Sequence, residues 1–155
     1  MVTRCNKCAK LSKRNLFIKM VFDILFAFFC LALTWWIILI AWIVSSFETR
    51  SNGFFFQKRV GIKGRIFCIV KIKTMKDCHN INNHITSPGN TRITKIGNFF
   101  RKTKIDELPQ LWNVLIGQMS LVGPRPDVPG YADRLQGKDR VILSVRPGIT
   151  GPAQL

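Results

Sequence analysis

The sequence predicts an α+β chain in which an N-terminal membrane-inserted helix, re-entrant or spanning, precedes a small α/β domain with short strands and amphipathic surface helices. Three observations carry this reading. Residues Ile24 to Val44 hold no formal charge. Two β-branched and aromatic runs flank Gly61 and Gly64. Leu108, Leu111, Trp112 and Leu115 recur at helical spacing in a segment that carries Pro109 near its start and Gly117 at its end. The expected divisions are a basic segment over 1–20, a membrane helix over 21–47 and a domain over 48–155.

A chain of 155 residues has room for one compact domain beside a membrane segment. Its formal charge of +16, from 24 Lys and Arg against 8 Asp and Glu, calls for an anionic partner. Nucleic acid, lipid headgroups and a phosphorylated substrate all qualify by charge. A nucleic-acid binder is disfavoured by the apolar run and by the lack of a helix-turn-helix, zinc-finger or RNA-recognition signature. Five cysteines at uneven spacing, one inside the apolar run, do not form a disulfide framework and fit a reducing compartment. Cys5-x-x-Cys8 is half of a zinc pattern, which Cys78, His79 or His84 would have to complete. A structural site usually brings two such pairs, so free thiols are the simpler reading.

At about 1.5 Å per residue, the apolar segment is long enough for a hydrocarbon core of roughly 30 Å. It exceeds the apolar core of a cleavable signal peptide, and its leader is long. Arg4, Lys7, Lys10, Lys13, Arg14 and Lys19 precede it, and Arg50, Lys58, Arg59, Lys63 and Arg65 follow. The positive-inside bias draws both flanks to the cytoplasm, which favours a re-entrant path. A sharp break normally needs Pro or a Gly/Ser pair, and residues 21–44 have neither Pro nor Gly. Thr34 is the mid-segment residue able to back-bond to the helix, so both geometries stay open. Asp23 stands where the helix enters the membrane, one turn after Lys19, as an i,i+4 pair.

Phe54 to Val60 and Arg65 to Lys73 read as two strands joined by a tight turn. Residues 76–94, polar, with four Asn and the run Ser87-Pro88-Gly89-Asn90 and carrying His79 and His84, read as a loop. Ile93 to Lys104 forms a basic amphipathic stretch suited to a membrane surface or an anionic ligand. Pro109 is tolerated only in a first helical turn, so the next helix is expected to begin near Asp106 and stop at Gly117. Asp106 and Glu107 then sit at a helix N-terminus, where free N–H groups keep a carboxylate ionised or dock a phosphate. Taken alone, the pair reads as an N-cap and its first-turn companion. The surrounding cations, and Arg125 held between Pro124 and Pro126, shift the balance towards a phosphate site. Arg146, ahead of Pro147-Gly148, repeats that arrangement.

Four segments together resemble a known family: Lys71-Ile72-Lys73-Thr74-Met75, Asp106 to Val114, Met119 to Pro126, and Val145 to Gly151. They are similar to the bacterial sugar transferases, the monotopic polyprenyl-phosphate phosphoglycosyltransferases, from about Asn15 onwards. The resemblance implies transfer of a sugar-1-phosphate from a UDP-sugar to polyprenyl (undecaprenyl) phosphate. This is the first membrane step of surface polysaccharide or glycoconjugate synthesis. It implies Asp106 as nucleophile through an aspartyl phosphosugar intermediate, and Glu107 as the ligand of Mg²⁺. It also implies Lys71, Arg101 and Arg125 at the phosphates, with Arg146 a further candidate from its own loop, and a cytoplasm-facing domain on the bacterial inner membrane. Expected partners are membrane lipids and both substrates, with no nucleic acid; self-association or glycan-assembly proteins are further candidates.

Two departures from the family pattern stand out. Members carry a Ser-Pro break in the membrane helix where this chain reads Leu33-Thr34-Trp35-Trp36. Members also continue past the last motif, so the chain reads as truncated at its C-terminus. That leaves a second expectation, a catalytically impaired scaffold anchored within a glycan-assembly complex.

Overall fold

A computed structural model describes residues 13–76, 93–130 and 142–151. In order, these form α1 (Lys13–Thr49), β1 (Phe54–Val60), β2 (Ile66–Ile72), α2 (Lys95–Thr103), α3 (Gln110–Leu115), β3 (Ser120–Val122) and β4 (Gly148–Thr150). Short 3-10 turns occupy Ile62–Gly64 and Ile105–Glu107. The architecture is α+β. The zinc reading at Cys5, Cys8, Cys78, His79 and His84, and most of the expected loop, lie outside the described residues.

The α1 helix runs for 37 residues without interruption and is long and apolar enough to cross a membrane. The Thr34 hydroxyl donates to Cys30 O at 2.8 Å, so it is absorbed inside the helix rather than opening it. One stripe of α1 packs on the α/β region. Ala27, with Cys30 and Leu31 beside it, meets Ile69, Leu111, Val114 and Met119. Ala41 meets Ile72 and Phe100. Small side chains at these positions let the backbones approach closely. Polar ties mark both ends. Lys19 donates to Ser120 and pairs with Asp23, and Ser45 donates to Lys73 O. The other face presents Phe22, Phe26, Phe29, Leu33, Trp36 and Ile40, all exposed.

The β1 and β2 strands pair antiparallel, with Phe54 opposite Ile72 and Val60 opposite Ile66, across a turn in which Lys63 takes a left-handed φ of 57°. The Thr94 side chain caps α2 by accepting from Gly97 N at 2.9 Å, and α2 buries Gly97 and Phe100. Lys104, at φ 60°, then turns the chain left-handed. This conformation is costly outside glycine and redirects the backbone sharply.

After that turn the structure departs from the expected helix start. Asp106 lies inside the 3-10 turn, and α3 opens at Gln110 behind Pro109. The i→i+3 bonds Leu108 N→Ile105 O and Leu111 N→Leu108 O, at 3.2 and 3.1 Å, account for the tighter winding. The buried face also shifts. Gln110, Leu111, Asn113 and Val114 face inward, whereas Trp112 is 55% exposed. Leu108 and Leu115 pack at the core margin.

The two Gly/Pro loops do not stand apart. They zip together as β3 and β4, a parallel pair with Ser120 opposite Gly148 and Val122 opposite Thr150. Gly148 permits this: a Cβ there would come within 2.1 Å of Gly123 N. The pairing brings the Arg125 and Arg146 segments side by side.

Candidate active site

The β2 strand delivers Lys71 to the turn that carries the Asp-Glu pair. Lys71 Nζ lies 3.3 Å from Glu107 Oε1, and both side chains are largely withdrawn from solvent. Asn113 holds β2 against α3 by accepting from Val70 N at 3.2 Å and donating to Cys68 O at 2.8 Å. Glu107 is therefore placed by the 3-10 turn that leads into α3 and Lys71 by β2, with one amide tying α3 to β2.

Asp106 is buried at 9% exposure, and its Oδ1 has no hydrogen-bond partner among the described residues. Burial, then the neighbouring Glu107 charge, push its carboxyl above the usual carboxylate range; Lys71, Arg101 and Lys104 oppose that rise. This corrects the expectation that free helical N–H groups would hold Asp106 ionised. The 3-10 turn aims no cap at it. Its three cations act through space instead. Arg101 is steadied on α2 by donating from Nε to Thr74 Oγ1 at 2.9 Å. A carboxylate with an unshared oxygen and few water contacts is a reactive nucleophile once a phosphorus centre lies next to it.

Next to this turn is a pocket lined by Arg59, Lys71, Glu107, Gln110, Arg125 and Pro126, with Ile69, Gly148 and Ile149. Of the residues singled out in the sequence, Lys71, Glu107 and Arg125 meet here. Asp106 and Arg101 lie beside the pocket rather than among its lining residues. Arg146 is not brought in: its Nη2 contacts Met20 Sδ of α1 at 2.9 Å. The pairing of β4 with β3 turns the neighbouring Gly148, not Arg146, towards the pocket.

Arg59 and Gln110 line this pocket without having been singled out in the sequence. Arg59 read only as one of the cations flanking the apolar run. The available signal was its position in a strand two residues from Gln57, whose Oε1 accepts from Arg59 Nη2 at 2.7 Å. Burial, and then the neighbouring Arg125, hold the Arg59 guanidinium below its ordinary value, with Asp127 opposing.

Among the described residues, no three His, Cys, Asp or Glu side chains gather into a metal cluster. Magnesium draws few ligands from protein and keeps waters and substrate phosphates, so one or two carboxylates suffice. Glu107, and the unpartnered Oδ1 of Asp106 beside it, suit such a cation.

Comparison with known proteins places this geometry in context. The bacterial sugar transferase family matches residues 14–155. An uncharacterised sugar transferase of Bacillus subtilis is 42% identical over 138 residues, covering 89% of this chain and 68% of that protein. The UDP-N-acetylgalactosamine-undecaprenyl-phosphate N-acetylgalactosaminephosphotransferase of Aeromonas hydrophila is 38% identical over 145 residues. The UDP-glucose:undecaprenyl-phosphate glucose-1-phosphate transferase of Klebsiella pneumoniae is 37% identical over 147 residues. The chain spans 34% and 31% of the length of these last two relatives. A match along nearly the whole chain, with the Asp-Glu turn, Lys71 and Arg125 gathered about one pocket, establishes that the protein belongs to the bacterial sugar transferase family.

Proposed function

We propose that this chain moves a sugar-1-phosphate from a UDP-sugar to undecaprenyl phosphate at the cytoplasmic face of the bacterial inner membrane, as the first membrane step of a surface glycan. The observation that carries the reading is Asp106, a buried carboxylate with one oxygen unpartnered among the described residues, flanked by Lys71, Arg101 and Lys104 beside an arginine-lined pocket. The names of the relatives from Aeromonas and Klebsiella supply the reaction class.

The chemistry follows from the groups present. An Asp106 carboxylate oxygen attacks the β-phosphorus of the donor. The Asp106–phosphorus bond forms as the bond to the bridging oxygen breaks, and UMP departs with that electron pair. The phosphate oxygen of the lipid then attacks the same phosphorus and returns Asp106 to a free carboxylate. No base is needed at Asp106, because the carboxylate is itself the nucleophilic form. Lys71, Arg101 and Arg125 offset charge that grows on the phosphate oxygens. Bound at Glu107, Mg²⁺ would supply Lewis-acid neutralisation of the diphosphate.

The exposed aromatic face of α1 is the natural lipid contact. The α/β region lies along α1 from Lys19 to Glu48, whose Oε1 accepts from Ile96 N at 3.4 Å. An upright spanning helix would carry that charged region to bilayer depth, which is strongly unfavourable. A helix inserted from one side keeps the region at the interface.

The test uses the purified chain in detergent with a panel of UDP-sugars, Mg²⁺ and undecaprenyl phosphate. UMP release that disappears in Asp106→Asn supports the transferase. A wild-type chain that releases no UMP from any donor, while still co-purifying with glycan-assembly proteins, would establish the scaffold instead.

A further inference from the structure

We propose that Arg59 and Gln110, together with Arg125, form the seat for a substrate phosphate group in the pocket that Glu107 also lines. The proposal rests on the transferase reading above and assigns two further residues to it.

The first observation is a pair of buried donors without acceptors. Arg59 Nε and Gln110 Nε2 are both withdrawn from solvent, and neither has a hydrogen-bond partner among the described residues. Gln110 is 3% exposed, so bulk solvent offers its amide little in place of a fixed acceptor. Buried N–H groups are nearly always satisfied, and those left over mark the place of a missing acceptor. The two donors come from β1 and α3, well separated in sequence, yet both side chains line the same pocket.

The second observation is charge. The ion pairs among the described residues are Lys19–Asp23 and Lys71–Glu107, so neither Arg59 nor Arg125 has a carboxylate in contact. Asp127 acts on Arg59 only through space, against the repulsion from Arg125. Two neighbouring guanidiniums with two spare donors call for an anion with several oxygens, and a phosphate group presents them in the fork geometry that arginine matches.

The third observation is rigidity. Arg59 Nη1 donates to Pro126 O at 3.2 Å and Nη2 to Gln57 Oε1 at 2.7 Å. These bonds fix the guanidinium plane and tie it to the loop bearing Arg125. A purely structural role, anchoring β1 to that loop, accounts for the Pro126 bond. It does not account for the spare Nε, for Gln110, or for an Arg125 with no ion pair among the described residues.

The phosphate belongs either to the donor diphosphate or to the lipid acceptor, and the two half-reactions separate them. Arg59→Met, Arg59→Lys and Gln110→Met are compared with the wild-type chain in detergent. The measurements are a UMP burst without acceptor, steady-state kinetics with both substrates, and thermal stabilisation by inorganic pyrophosphate. Arg59→Met should lower kcat/KM about 10- to 100-fold, Arg59→Lys should fall between, and Gln110→Met should lose several-fold. A raised KM for the UDP-sugar with a weakened burst assigns the seat to the donor. A raised KM for the lipid alone assigns it to the acceptor.

Pyrophosphate should raise the melting temperature of the wild type more than that of Arg59→Met. If Arg59→Met does not fold, Arg59→Lys and Gln110→Met decide the matter. Variants that melt like wild type and keep kcat/KM within twofold for both substrates, with unchanged pyrophosphate stabilisation, overturn the proposal. A wild type without UMP release, but with Arg59-dependent pyrophosphate stabilisation, would sink the transferase reading and leave the seat standing.

Discussion

Asn113→Ala should destabilise the protein by about 3 kcal/mol, because three buried hydrogen bonds of about 1 kcal/mol each depend on that amide. Asn113 is 1% exposed. Its Oδ1 accepts from Val70 N at 3.2 Å, and its Nδ2 donates to Cys68 O at 2.8 Å and Gln118 Oε1 at 2.9 Å. Opposite Phe56 and Lys58, Val70 and Cys68 turn these backbone groups away from β1, towards an edge with no further strand among the described residues. The amide stands in for that strand. For a chain of this size the loss corresponds to a fall in melting temperature of roughly 10 °C. Thermal unfolding in detergent, followed by near-UV circular dichroism, measures it. Asn113→Asp sharpens the test: it keeps the acceptor for Val70, abolishes both donations and buries a charge, so it should melt below Asn113→Ala at pH 7. A loss under about 1 kcal/mol for Ala, or an Asp variant more stable than Ala, would refute the idea that this side chain docks β2 on α3.

Further outcomes follow from other buried groups. Asp106 is held above the usual carboxylate range by burial and by Glu107, so the folded state grips its proton more tightly than the unfolded chain does. Ionisation therefore costs stability as pH rises through that range. At pH 8 in chelator Asp106→Asn should melt higher than wild type, with the gap closing towards acid; a lower melting point contradicts the burial argument. Asp23, 6% exposed, accepts from Lys19 at 2.8 Å and Ser120 at 2.6 Å. Asp23→Ala should cost about 2 kcal/mol, since Ser120 is buried while Lys19 can turn to water; a melting curve unchanged from wild type would exclude the tie. In Gly97→Ala the new Cβ would sit 2.4 Å from Thr74 O. That should push α2 off the end of β2, cost about 1–3 kcal/mol and lower UMP release by freeing Arg101 from Thr74; full activity with an unshifted melting point would argue otherwise.

Much of the architecture was legible from neighbouring residues. An uncharged run with aromatics specifies α1, and the β-branched runs about Gly61 and Gly64 specify the two strands of the hairpin. Pro109 and Gly117 bracket α3, and the Asp106-Glu107 pair with Lys71 and Arg125 names most of the site. Periodicity, turn chemistry and backbone sterics act over a few residues, so they are written in the order of the chain.

Contacts between distant segments are not written that way. Helical spacing set Trp112 in line with Leu108, Leu111 and Leu115, yet Gln110 and Asn113 are the polar residues that become buried, and the edge of β2 takes the Asn113 amide. Local rules made Asp106 a solvated cap; the left-handed turn at Lys104 carries it inside. Two loops that read as separate arginine holders join as β3 and β4, sending Arg125 to the pocket and Arg146 to Met20. Arg59 and Gln110 reach the pocket by the same long-range packing. Sequence alone determined the long apolar helix, the hairpin, the two short helices and the residue types they carry. Tertiary structure decided which polar groups lose water and which of them meet, since burial is set by the whole packed chain.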